Sequence, residues 1–434
     1  MLLLLQLPLI FNPGYLSFDE LQWWARADVP AFADLPWIAW TDLRAFQYRP
    51  LTFNLWLVLA HWLAGHAYAM HALFVLLGTI NGLLLAACLR MLDAGRTTAA
   101  AAGAAFVLSP YVAYTHGWTG TLGDLLVLLF GLLGACALLR RHDAARHGRI
   151  ITLLLVLLVI LALLAKEAAV AVPPLWLAVA AARHGWRRAV AFVAPAGLVV
   201  IACVAARMPA LWLVDAGNEA YAWHLANIPP RLAEYALFPW LPPLFEVGPS
   251  LDKSALRLGF AALCHGAVVL ALLRTSWRHA AAWMLLGTIA LAPVLVLGRS
   301  FDHYAYLASA ALVGVAAHAW RDCARSARLV LLIAGSIACM HGVQIMLRMR
   351  EVGAIEQRFH ADLAAALSRT GQPLRVGTAR AADAWMVERW VGNVPSYRGV
   401  VLAGRVTTGP AGPGAITLTM QPDGALTTPP AAAQ

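Results

Sequence analysis

A chain of 434 residues that is 61% hydrophobic and only 12% charged, with a mean hydropathy of +0.69, cannot be a soluble globular protein, whose residues are about half apolar and a quarter charged. The net charge of +10 does not indicate nucleic-acid binding, because the basic residues fall in short loops between apolar runs, where they report orientation in a membrane. The six cysteines are scattered without a CxxC pair and read as small buried hydrophobes.

In chain order, apolar stretches fall at roughly 2–12, 67–89, 99–115, 121–139, 150–165, 168–182, 189–206, 255–273, 281–297, 305–320 and 329–346. The expected fold is an all-α polytopic membrane protein of about 11 transmembrane helices. The first stretch, "MLLLLQLPLIF", is too short to cross a bilayer and lacks the basic leader and cleavage site of a signal peptide. A longer first helix trimmed by a mis-assigned start is the preferred reading, a half-span the other. Fourteen arginines against three aspartates occupy one set of loops: 90–96, 140–149, 183–188, 274–278 and 321–328. The positive-inside rule makes that side cytoplasmic, with the N-terminus inside. Segments 13–66 and 207–254 and the C-terminal tail are then periplasmic. After about 347 the composition turns polar, and "AIEQRFHADLAAALSRTG", "PLRVGTA" and "GAITLTM" predict an amphipathic helix and two strands. Residues 1–347 are thus expected to form the membrane domain, and 348–434 a small α/β appendage with a disordered end.

Charge is scarce enough that each cluster in the apolar part needs a reason. "NPGYLSFDELQWW" places Asp19 and Glu20 beside Trp23 and Trp24, just past the first apolar segment. A carboxylate at that depth can act as a base on a polar acceptor. In "YRPLTF", Arg49 precedes Pro50, so the chain is extended and the guanidinium can be aimed. "SPYVAYTHGWTGTLGDLL" brings His116 and Asp124 to a turn, where Asp124 serves either the helix dipole or a site. Lys166 and Glu167 stand between two apolar stretches, either as a mutual ion pair or beside an anionic headgroup. "GRSFDHYAYLAS" gathers Arg299, His303 and Tyr304, and Arg is the natural clamp for phosphate oxygens. All these stretches lie at the same ends of the predicted helices. Arg299, Lys166 and Arg49 are therefore expected to converge beside Asp19, with Glu167 or a phosphate meeting Lys166. There is no P-loop and no Rossmann glycine pattern.

Taken in order, "FDE", "YRPLT", "SPYVAYTHGWTGTLGDLL", "AKEAAVAVP", "YALFPWLPPL" and "DHYAYLAS" resemble the GT-C superfamily of integral membrane glycosyltransferases, nearest the protein O-mannosyltransferase branch that includes the transmembrane-and-TPR enzymes. The resemblance implies an inverting glycosyltransferase of the bacterial inner membrane, acting in protein O-glycosylation or the cell envelope. It implies Asp19 as the catalytic carboxylate supported by Glu20, a polyprenyl-phosphate-linked sugar as donor, and a protein or glycan hydroxyl as acceptor. Membrane lipid is the other expected partner, and nucleic acid is not one. No metal site or cofactor is expected, a divalent ion being left open. The chain departs from the family's pattern in three places. No Arg precedes Asp124, His303-Tyr304 stands where Arg-Tyr is common, and no TPR array follows. A transporter or flippase for a lipid-linked sugar, or a GT-C scaffold without activity, are the alternatives.

Overall fold

The computed structural model describes residues 1–28, 31–40, 47–140, 144–212, 219–409 and 416–428. Most of the expected disordered end lies outside them. The chain is a helical membrane protein. Among the described residues six helices are long and apolar enough to cross a membrane: Ala67–Met91, Thr119–Leu139, Gly148–Ala165, Trp186–Met208, Ala255–Thr275 and Arg325–Thr370.

A short α1 (Leu7–Ile10) and α2 (Phe18–Ala27) lead to α3 (Pro50–Leu63) and α4 (Ala67–Met91). Then come α5 (Arg96–Val107), α6 (Pro110–Gly117), α7 (Leu122–Leu139), α8 (Ala144–Ala165), α9 (Val172–His184) and α10 (Trp186–Trp212). The second half holds α11 (Ile228–Leu237), α12 (Ala255–Thr275), α13 (Trp277–Leu291), α14 (Tyr306–Ala319) and α15 (Arg325–Thr370). Basic loops join α7 to α8, α9 to α10, α12 to α13 and α14 to α15.

Several predicted spans are shorter than expected, and proline is the usual reason. The stretch at 99–115 breaks at Ser109, whose extended backbone precedes Pro110 at the first turn of α6. The stretch at 168–182 becomes a 3-10 turn, Glu167–Ala171, followed by the 13-residue α9 with Pro in its first turn. Helix α13 stops at Leu291, ahead of Pro293, after 15 residues. Helices of this length reach about 20 Å, short of a ~30 Å bilayer core.

The boundary placed at 347 falls inside a helix. The span at 329–346 and the amphipathic segment after it are one 46-residue helix, α15. Beyond it lies the expected α/β appendage. Strand β1 (Leu374–Thr378) pairs in parallel with β4 (Val406–Thr408) on one side and β5 (Ile416–Met420) on the other. Strand β6 (Leu426–Thr427) runs antiparallel to β5, and β2 (Ser396–Tyr397) with β3 (Val400–Val401) forms a separate hairpin. Helix α16 (Ala384–Trp390) packs on β1 and buries Met386, Val387 and Trp390.

Helix α15 passes over two interruptions of the chain, and glycine permits both crossings. A Cβ at Gly342 would overlap the Leu108 carbonyl oxygen at the α5–α6 break. A Cβ at Gly353 would overlap the Asn12 side-chain oxygen ahead of α2. Gly335, on the same helix, has nothing within 4 Å of its Cβ position. Gly342→Ala should therefore lower the thermal unfolding midpoint in detergent by an amount equivalent to about 1–3 kcal/mol of overpacking. Gly335→Ala should leave it unchanged or slightly raised.

Candidate functional site

A cavity of about 980 Å³ opens where α7 begins and α8 ends, and the first loop, the start of α14 and helix α16 close around it. Asp19, Arg49, Asp124, Lys166, Arg299, His303 and Tyr304 all line it. The expected convergence of Arg49, Lys166 and Arg299 with Asp19 is thus present in one cavity. Glu20, His116 and Glu167 do not line it.

The ion pairs are crossed relative to the sequence expectation. Lys166, 2% exposed, gives both oxygens of Asp124 a hydrogen bond, at 2.8 and 2.7 Å. Its ammonium also sits 4.7 Å from the centre of the Tyr304 ring. Glu167, the anticipated partner, instead takes a two-pronged contact from Arg49, with Nε to Oε2 at 2.8 Å and a second bond from Nη2 to Oε1. The cause is backbone geometry. Lys166 is extended, with φ −164° and ψ 145°, between α8 and the following turn, so successive side chains leave in opposite directions. Gly123 lets α7 come up against this break: a Cβ there would lie 3.0 Å from the Ala165 carbonyl oxygen and 3.1 Å from Thr52 Oγ1. Thr52 Oγ1 in turn donates to that same carbonyl at 2.7 Å.

Asp19 and Glu20 are adjacent and do different things. Ser17 is the N-cap of α2, and Glu20, at its third position, reaches back in the manner of a capping box. Glu20 Oε2 accepts from the backbone N–H of Leu16 and Ser17, while Oε1 accepts from Thr119 N and Thr119 Oγ1. It is 1% exposed, and burial pushes its carboxyl up to about 7 against the pull of these hydrogen bonds. Glu20 is a structural clasp between the first loop and the turn ahead of α7. Asp19 faces the cavity, and among the described residues its carboxylate has no hydrogen-bond or ion-pair partner. Partial burial raises its pKa, and the positive charge of Arg389 pulls the other way.

The other acids of the cavity wall are all met: Asp124 by Lys166, Asp302 by the Val247 N–H at 3.1 Å, and Glu246 by two arginines. Arg299 and Arg389 each contact Glu246 at 3.4 Å, on different oxygens. Two buried nitrogens in the wall, Trp118 Nε1 and His303 Nδ1, have no hydrogen-bond partner among the described residues. Their rings lie 5.0 Å apart.

His116 belongs to the core. It is fully buried, with Nδ1 2.5 Å from Gln6 Oε1 and Nε2 2.8 Å from the Tyr306 hydroxyl. Sequence reasoning missed Glu246, Trp385 and Arg389. Glu246 is a lone acid in the apolar stretch "WLPPLFEVGPS", which could have marked it. Trp385 and Arg389 lie four apart on α16, the helical spacing that puts two side chains on one face. Nothing local connects that helix to Asp19. Compared with protein-family models, curated proteins and solved structures, the chain matches none.

Replacing Glu20 by Gln leaves two of its four donors facing an NH₂ group. The expected loss is about 1–3 kcal/mol per unpaired donor, read as a lower melting midpoint. Asp19→Asn should stay within about 0.5 kcal/mol of the parent. Lys166→Met strands the Asp124 carboxylate and should cost about 3–5 kcal/mol, with much of the loss recovered when Asp124→Leu is added.

Proposed function

We propose that this protein is an inverting membrane glycosyltransferase with Asp19 as its general base. The observation that carries the reading is the Asp19 carboxylate, which among the described residues has no hydrogen-bond or ion-pair partner, while the other described acids of the cavity each have one. An ordered base is held ready, and cations stand across the same space. The donor is a sugar on a polyprenyl phosphate, and the acceptor is a hydroxyl compound.

In the reaction the acceptor O–H gives its proton to Asp19 while the oxygen attacks the anomeric carbon from the side opposite the phosphate. The bond from that carbon to the phosphate oxygen breaks, and its electron pair leaves with the phosphate. Negative charge then grows on the phosphate, where preorganised cations in a site shielded from water stabilise it more than water would. Lys166 and Arg49, each fixed by its own carboxylate, keep further N–H donors for that phosphate. The orphan nitrogens of Trp118 and His303 suit the donor's polar atoms. The cavity lies at the end of α7 and α8 away from the arginine-rich loops. By the positive-inside rule that end is the outer face of a bacterial cytoplasmic membrane.

Purified protein in liposomes with a polyprenyl-phosphate sugar tests the reading. The parent should form a glycosidic product, and Asp19→Asn should slow it by about 10²- to 10⁴-fold. Because burial raises the Asp19 pKa, the parent's rate should fall on acidification at a higher pH than an ordinary carboxylate would give. That acidic limb should be absent in Asp19→Asn. Translocation of the lipid without glycosidic product would instead identify a transporter.

A further inference from the structure

The appendage is part of the cavity. Trp385 and Arg389 are carried by α16, beyond the end of α15, and both line the space that holds Asp19. Gln22, one turn after Asp19, donates from Nε2 to the Asn393 carbonyl at 2.8 Å, and Trp24 meets Tyr397 edge-on at 5.8 Å. The helix that bears Asp19 is thus docked on the appendage itself.

The charges at this wall do not balance. Arg299 and Arg389 share one carboxylate, Glu246, through long contacts of 3.4 Å. Each guanidinium has five N–H donors, so both retain donors for another acceptor. Elsewhere in the cavity Lys166 with Asp124 and Arg49 with Glu167 are matched one to one. An anion entering the cavity is therefore met at Arg389 and Arg299 without breaking a buried pair. Arg389 and Asp19 line the same cavity, and the Gln22–Asn393 bond ties the helix of one to the segment just after the helix of the other.

We propose that α16 is the acceptor-binding element, and that it selects a sugar ring bearing a carboxylate or phosphate beside the hydroxyl that reacts. This rests on the glycosyltransferase reading, in which Asp19 touches the acceptor. Arg389, steadied by Glu246, pairs with the anionic group. Trp385, four residues earlier on the same helix, offers its flat face to the apolar C–H side of the ring. Trp23, stacked on Phe53, and Trp118 line the same cavity. Aromatic and charged side chains in one cavity match a ring that is apolar above and below and polar at its rim.

The test is a binding measurement without donor, so its result does not depend on turnover. Full-length protein in detergent is titrated with methyl glucoside, methyl glucuronide and glucose 6-phosphate. The parent should bind the two anionic sugars about tenfold or more tighter than the neutral one, the scale of a charge-assisted hydrogen bond. Arg389→Ala should abolish that preference and leave the neutral sugar's affinity unchanged, and Arg389→Lys should keep part of it. Equal affinity for neutral and anionic sugars overturns the proposal. So does a preference that persists in Arg389→Ala, or no saturable binding of either anionic sugar. If Arg389→Ala lowers the melting midpoint and weakens every ligand alike, Arg389 is a latch to Glu246 and the assignment is wrong. Tighter binding of an acidic serine peptide than of either anionic sugar overturns the saccharide class. Loss of polyprenyl-phosphate binding in Arg389→Ala, with no change for the sugars, moves the residue to the donor. Failure of transfer alone, with the charge preference intact, counts against the glycosyltransferase reading and not against this site.

Discussion

A charge carried into an apolar helix bundle loses several kcal/mol of hydration and has to be met by another charge or by hydrogen bonds. The architecture around the cavity follows from how that requirement is satisfied at the break between α8 and α9. Lys166 is met by Asp124 of α7, and Glu167 by Arg49 ahead of α3. Because the two neighbours point apart, one short break ties together three distant stretches of chain. Thr52 locks the same break by donating to the Ala165 carbonyl. Movement of α7 away from the break would strand a buried ion, since Lys166 and Asp124 are both shielded from solvent.

Glu20 does for the first loop what Lys166 does for the bundle. Its carboxylate gathers four donors from two segments about 100 residues apart, Leu16–Ser17 and Thr119. Successive residues of a helix are turned by about 100°, so the residue before Glu20 cannot share its environment. Asp19 is turned out of the clasp into the cavity, on a helix whose start the clasp has fixed. A base that is half-buried, unpaired and attached to an immobile neighbour is positioned without being neutralised. On the proposed reading one carboxylate sets position and the next one reacts.

The polytopic helical nature of the chain was legible because it rests on composition and run length, which require no tertiary information. The cluster of Asp19, Arg49, Lys166 and Arg299 was legible for a related reason: charge is rare here, and alternating spans bring alternate loops to the same end. The pairing within the cluster was not legible. Lys166-Glu167 reads as a local pair, and only the extended backbone at Lys166 separates them. The count of about 11 spans is not matched one for one by long helices among the described residues, because proline at residues 110, 173 and 293 cuts apolar runs into shorter helices that a hydropathy window merges. Arg389 was out of reach. It lies more than 360 residues from Asp19 in a polar segment, and no periodicity reports a contact between an appendage and a first loop.

The charged groups of the cavity differ in how firmly they are held, and on the proposed reading the difference has a chemical use. Bonds of 2.7–2.8 Å hold Lys166 on Asp124, whereas Glu246 is held by its two arginines at 3.4 Å. Cations that must stabilise charge as it develops act best when they need not reorganise, which is the condition of Lys166. Groups that must admit and release a changing ligand cannot be locked in the same way. Arg299 and Arg389 meet that condition, since the loop bearing Glu246 and the helix bearing Arg389 come from separate parts of the fold. A long, shared ion pair across that seam keeps two arginines in place while leaving their remaining donors to an incoming anion. The seam beside Asp19 is thus the adjustable side of the cavity, and the wall at the α8–α9 break is the fixed one.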